Sequence, residues 1–261
     1  MNSIMKRKST PHIQSLTLIL CLILAAGSSG KAQEPSADIP AAKTTGADLS
    51  QTQLGGELTK LGGKVKMEGG EIVEIIFTYT HTPSPSPTGQ LVPPYEMTDD
   101  LMRQISKLPK LTSLELNMCP KLTDEGLKYL KDMTQLQRLA LPGPCVTDVT
   151  MANIAGLTNL QFLRLSVASK ISVDGWTNVE GMKQLQTLMI AETGIGDKGI
   201  LHLKGLTQLK EVTLWGDKVT DAGAEIFKDF PNLRSLRCDD GISRSEVAKL
   251  KEALPNCQFS R

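Results

Sequence analysis

The stretch Leu111-Thr112-Ser113-Leu114-Glu115-Leu116-Asn117-Met118-Cys119-Pro120-Lys121-Leu122-Thr123-Asp124-Glu125-Gly126-Leu127 decides the fold. It opens with an apolar residue, two variable positions, an apolar, a variable and an apolar, and it closes on a second marker that starts at Leu122. The opening stencil returns at Leu136, Leu139, Leu141; Leu160, Leu163, Leu165; Leu185, Leu188, Ile190; Leu209, Val212, Leu214; and Leu233, Leu236, Cys238, so successive starts lie 24 or 25 residues apart. The second marker keeps the same beat through Val146, Ile171, Ile195, Val219 and Ile242. Two markers in phase at this period define a solenoid, whose units cannot bury their apolar faces alone and stack on one another.

Within each repeat the apolar period changes from two to about three and a half, which predicts a short strand followed by a helix. The helical columns are Leu127, Leu130, Met133; Met151, Ile154, Leu157; Trp176, Val179, Met182; Ile200, Leu203, Leu206; and Ala224, Phe227, Phe230. Residues three apart share a helical face, so these columns point inward and the polar residues between them form a solvated convex side. Thr123, Thr147 and Thr220 are expected to cap the helices, each worth about 1 kcal/mol, with the following aspartates complementing the positive helix end. Gly126, Gly175, Gly199 and Gly223 recur despite a cost of about 1 kcal/mol each in an exposed helix, which implies close helix approach.

The unit resembles a leucine-rich repeat, in particular the cysteine-containing type associated with F-box proteins, on the residues Leu111 to Leu127 with Cys119 at that type's cysteine position. Cys145 falls one residue later, and later repeats carry Ala168, Thr193 and Asp217 nearby. The resemblance covers about residues 62–261 and implies an α/β horseshoe, with a parallel sheet on the concave face and helices on the convex face. It also suggests a substrate-recognition adaptor of the ubiquitin-ligase kind, although a leader stands where the F-box region would be.

Residues 51–261 make up the repeat domain. Its N-terminal cap covers about 51–78, where Lys64 to Met67 and Glu71 to Phe77 flank Glu68-Gly69-Gly70 as a hairpin over the open sheet edge. A Pro-rich insertion over 79–96 reads as an exposed, partly extended loop, either a tolerated insertion or a binding flap. The repeats run to 254 and a C-terminal cap over 255–261 stops in an aborted strand. Ahead of the domain, Lys6, Arg7 and Lys8 precede an apolar run at 16–26 and small residues up to Ala32, which reads as a signal peptide over 1–32. A flexible linker follows over 33–50. The expected location is secreted, periplasmic or in the cell envelope, with a membrane involved only if the leader stays uncleaved.

Four cysteines remain after cleavage, and a secreted setting permits disulfides. Cys119 and Cys145 lie at nearly the same place in adjacent repeats, so a bridge between them is geometrically conceivable; Cys238 and Cys257 read as small core residues. Net charge is +1, which gives no basic field for a nucleic acid. The histidines are His12 in the leader, His81 in the insertion and His202, expected to be solvated. No zinc-protease, nucleophile-elbow, phosphate-loop or Cys-x-x-Cys motif occurs, so neither catalysis nor a metal or cofactor is expected.

Strand alternation leaves three columns facing away from the core. The first is Glu74, Ser113, Arg138, Phe162, Thr187, Glu211 and Ser235; the second is Ile76, Glu115, Ala140, Arg164, Met189, Thr213 and Arg237; the third is Thr78, Asn117, Pro142, Ser166, Ala191, Trp215 and Asp239. Aromatics and arginine are over-represented at binding hot spots. The candidate binding residues are therefore Arg138, Phe162, Arg164, Met189, Glu211, Trp215 and Arg237, with Trp215 and Phe162 as apolar anchors and Arg164 and Arg237 pairing with carboxylates of a protein or peptide ligand. The alternatives are the F-box-type adaptor and a structural or carbohydrate-binding envelope protein; with only two aromatics on the face, polysaccharide is the weaker ligand.

Overall fold

Leu114, Leu139, Leu163, Leu188, Val212, Leu236 and Phe259 stand side by side in neighbouring strands, one from each turn of the chain. The computed structural model describes residues 48–77, 97–117, 119 and 121–260. They form a nine-stranded sheet whose spatial order is the chain order. Its strands are β1 (Lys64–Glu68), β2 (Glu71–Ile76), β3 (Ser113–Glu115), β4 (Arg138–Pro142), β5 (Phe162–Ser166), β6 (Thr187–Ala191), β7 (Glu211–Trp215), β8 (Ser235–Arg237) and β9 (Gln258–Ser260). β1 and β2 are antiparallel, joined through Gly69 and Gly70 at φ 58° and 87°, the left-handed pair that a tight hairpin turn requires. Every later pairing is parallel. The aborted strand is completed as β9.

The helical elements are α1 (Gln51–Lys60), α2 (Asp99–Ile105), α3 (Asp124–Leu127), α4 (Asp148–Ile154), α5 (Gly196–Ile200), α6 (Asp221–Ala224) and α7 (Arg244–Ala253). Several repeats continue or replace the α-turn with 3-10 helix, at Lys128–Asp132, Asp174–Val179, Leu201–Leu203 and Glu225–Asp229. The expected helices are thus shorter and tighter than a period near three and a half implies. The apolar columns explain this: spacing of three and three again, as in Leu127, Leu130 and Met133, matches the three residues per turn of a 3-10 helix. All the column residues are buried, and they join the strand leucines in one continuous core.

The Thr-Asp pairs turn out to couple one repeat to the next. Thr123, Thr147 and Thr220 cap their helices by accepting from the backbone N–H two residues on. Each hydroxyl also donates to the aspartate one repeat earlier: Thr123 to Asp99 at 2.6 Å, Thr147 to Asp124 at 3.0 Å, Thr220 to Asp197 at 2.7 Å, and Ser243 to Asp221 at 2.6 Å. The backbone N–H of Thr123, Ser172, Thr220 and Ser243 donates to the same carboxylates or their equivalent, Asp148. Instead of mainly complementing their own helix ends, the aspartates satisfy orphan N–H groups of the neighbour. At Gly126, Gly175 and Gly223 a Cβ would lie 2.2, 2.2 and 2.4 Å from the Oδ1 of Asp99, Asp148 and Asp197. The recurrent glycine therefore makes room for the preceding carboxylate. In the second repeat Thr150 takes that place and its hydroxyl donates to Asp124 at 2.8 Å. The ladder breaks once, where Val173 stands in the aspartate position; there the Gly196 N–H donates to the Asp217 carbonyl.

At the N-terminus α1 has no counterpart in the repeat pattern. Ser50 and Gln53 form a capping box, and Leu54 and Leu58 seat the helix on the core. Asp48, inside the expected linker, is tied to the domain by pairing with Lys107 and Arg103 at 2.5 and 3.3 Å. The leader over 1–32, the linker to residue 47 and the insertion over 79–96 lie outside the described residues. Among the described residues no helix is long and apolar enough to cross a membrane.

At the other end the buried carboxylate of Glu246 takes the glycine position of the last repeat and is held by Lys249 at 2.9 Å and Lys228 at 3.2 Å. Hydrogen bonding from Lys249 first, then Lys228, keeps its pKa below the ordinary glutamate range. A depressed folded-state pKa gives stability that is present above the unfolded value, about 4.3, and is lost as pH falls through the folded value. Urea unfolding across pH should therefore show a wild-type advantage over Glu246→Gln that is constant above about pH 5.5 and shrinks below about pH 4. A gap independent of pH would contradict it.

Candidate functional site

The three outward columns of the sheet are fixed by register. Phe162, Thr187 and Glu211 form one row across β5, β6 and β7, Arg164, Met189 and Thr213 the next, and Ser166, Ala191 and Trp215 the third. Their N-terminal part is not an open surface: Ser113, Glu115 and Ala140 are buried. A side-chain brace spans this part of the sheet. Glu115, Ala140 and Arg164 occupy one row on β3, β4 and β5. Arg164 reaches a strand further than its neighbour, placing its Nη2 2.8 Å from Asn117 Oδ1 and 3.8 Å from Glu115 Oε2. Ala140 stands between Glu115 and Arg164 in that row, and its small side chain leaves room for the arginine stem. Arg138 donates to Glu115 Oε1 at 3.0 Å and lies over the Phe162 ring, 4.1 Å from its centroid. Asn117 in turn donates to the Phe77 carbonyl at 2.6 Å.

Arg138, Phe162 and Arg164 thus belong together, organised by Glu115, Asn117 and Ala140, three residues that the sequence reading left out of the site. The period places Glu115 as an outward acid in the same row as Arg164, two strands away; it does not give the reach of the arginine. Arg164 is braced from within the fold and keeps 27% of its side chain exposed, against 46% for Arg138. Phe162 is half-buried and carries Arg138, so it is part of the brace.

Trp215 lies elsewhere, at the far end of β7, and is 41% exposed. Two strand spacings and four residues separate it from Phe162, roughly 16 Å, so the two aromatics do not share a pocket. Its backbone N–H donates to Asp217 Oδ2 at 3.1 Å, and the other oxygen of that buried carboxylate accepts from the N–H and hydroxyl of Thr193 at 2.7 and 2.6 Å. Beside it the residues just past β5, β6 and β7, Val167, Glu192 and Gly216, are all left-handed, at φ 58°, 55° and 69°. For valine and glutamate that conformation costs about 1–3 kcal/mol each. The rim next to Trp215 is therefore held in a bent shape by the repeats around it. Met189 is half-buried between Arg164 and Thr213, Glu211 is exposed on β7, and Arg237 is exposed on β8 with its Nε 3.4 Å from Ser260 Oγ.

Outside this face, the opposite rim carries a shallow polar groove lined by Lys110, Gln137, Gln161 and Gln184 among others. His202, expected to be solvated, is partly buried with Nδ1 2.7 Å from Glu180 Oε1 of the preceding repeat. Cys119 and Cys145 carry thiols and are not joined by a disulfide. Burial pushes their pKa values up to about 12 and about 11, so both stay protonated at neutral pH and are poor nucleophiles. Among the described residues no group of three metal-ligating side chains converges.

The period, the parallel sheet and the helical convex side define a leucine-rich-repeat solenoid. No family model matches the chain, and no curated protein does. Solved structures similar to it include an internalin of Listeria monocytogenes, with TM-score 0.47 and 16% identity over 84% of this chain and 59% of that one. A leucine-rich-repeat protein of Leptospira interrogans aligns with TM-score 0.41 and 17% identity over 60% of this chain and 44% of its own. This chain thus spans roughly half the length of each.

Filling the lane under Arg164 should be costly. Ala140→Leu is expected to destabilise the fold by about 1–3 kcal/mol in urea unfolding, as overpacking does. Thr187→Leu, on the half-buried first column, should change stability by less than about 0.5 kcal/mol. Equal effects at the two positions would show that nothing crosses Ala140.

Proposed function

We propose that the protein is a non-enzymatic interaction module that binds a protein or peptide on the concave strand face, and that it acts outside the cytoplasm after export by the leader over 1–32. The observation that carries this reading is Trp215. A large apolar side chain stands 41% exposed at a place where the two preceding repeats have Ser166 and Ala191. Burying an exposed indole is a large source of binding energy, and tryptophan is the residue most typical of interface hot spots. The preorganised arginine pair on the same face supplies charge-assisted donors whose ordering cost is already met within the fold.

The test is capture from the native extracellular or periplasmic fraction with the full chain, beside a Trp215→Ala variant. A partner held by the wild type should be lost or weakened at least ten-fold by Trp215→Ala, a loss of about 1.4 kcal/mol or more. A partner held equally by both would remove the concave face from its recognition.

A further inference from the structure

We propose, building on the concave-face reading, that the ligand is an acidic peptide whose carboxylate docks on Arg138 and Arg164 and whose apolar side chain docks on Trp215. The two arginines carry five N–H donors each. Among the described residues, Arg138 spends its hydrogen bonding on Glu115 and Arg164 on Asn117. Glu115 is nearly buried, so it orients the guanidiniums without competing at the surface, and two cations face one carboxylate. The next acid along the sheet, Glu74, faces Ser113 on one side and Lys66 of β1 on the other, with Lys66 also paired to Glu68. Phe162 holds the Arg138 plane from below. This is a rigid, half-exposed donor set suited to a carboxylate, which accepts two parallel N–H bonds from a guanidinium.

The path from there to Trp215 is defined by charge. Exposed Glu211 sits on the first column of β7 and repels an acidic chain. The second column offers Met189 and Thr213, which are uncharged, and Ser166 and Ala191 beside them are small. The ligand therefore runs diagonally across the face. From the guanidinium heads near β3 and β4 to Trp215 on β7 is three to four strand spacings and about two residues, roughly 18 Å, which an extended chain covers in about five residues. Arg237 lies one strand beyond and can meet a second acid.

Selection of a phage-displayed random dodecapeptide library against the full chain tests this. Wild type should enrich peptides with Asp or Glu about five positions from a large apolar residue. Arg138→Met should lose the acidic preference and keep the apolar one, and Trp215→Ala should do the reverse. A synthetic peptide from the wild-type pool should bind about ten-fold more tightly than the same peptide with its acid changed to the amide, and only the acidic form should weaken as salt screens the contact. The salt series needs no variant and decides the matter even if Arg138→Met does not fold. Enriched peptides without an acidic preference, or one that survives Arg138→Met, would overturn the acidic assignment while leaving the concave-face reading to the Trp215 capture. No enrichment at all would overturn the peptide ligand itself, again separately from that capture.

Discussion

Every repeat junction but the one at Val173 is tied by an aspartate of one repeat bonded to the start of the next. The carboxylate of Asp99 or Asp197 takes both the backbone N–H and the hydroxyl of the following threonine, while that threonine caps its own helix. Leucine packing alone is tolerant of sliding, because one leucine fits beside another at many offsets. A carboxylate bonded to a specific N–H and O–H is not tolerant, and the glycine that must face it adds a steric condition. Apolar burial supplies the drive to stack, and the aspartate ladder sets the position in which the stack rests.

That position has a functional consequence on the opposite side of the molecule. With the strands locked in register, residues one repeat apart stand about 4.8 Å from each other. The brace over Ala140 exploits this spacing: an arginine two strands from Glu115 is long enough to reach it only if the intervening side chain is small. Preorganised guanidiniums at one end and a tryptophan on a strained rim at the other then form a surface whose shape is fixed before any ligand arrives. Little rearrangement is left to be met from binding energy.

The sequence was read most fully where backbone periodicity decides the outcome. The strand columns follow the predicted register residue for residue, from Phe162 beside Thr187 to Thr213 beside Arg237, because a period of 24 or 25 leaves one way to align the repeats. The Gly69-Gly70 hairpin and the threonine caps were legible for the same local reasons. What escaped depends on where flexible or short side chains point. Thr-Asp looks like a cap and a charge on one helix, and nothing in the dipeptide says that the aspartate serves the neighbour. The internal partners of Arg164, Glu115 and Asn117, were not legible because they are 49 and 47 positions away in the chain. The helix α1 was missed because it lies outside the repeat, although its capping box at Ser50 and Gln53 was there to be read.

The coupling of Asp148 to Gly175 tests the ladder most directly, since the Cβ of an alanine at 175 would lie 2.2 Å from the carboxylate and make no contact under 3.0 Å with anything else. Urea unfolding of Gly175→Ala, Asp148→Ala and the double variant closes the cycle. The ladder predicts that Gly175→Ala destabilises the wild type by about 1–3 kcal/mol, yet is neutral or slightly stabilising once Asp148 is alanine, because alanine is then simply the better helix former. The same cost of Gly175→Ala in both backgrounds would contradict the ladder as the element that sets the stacking.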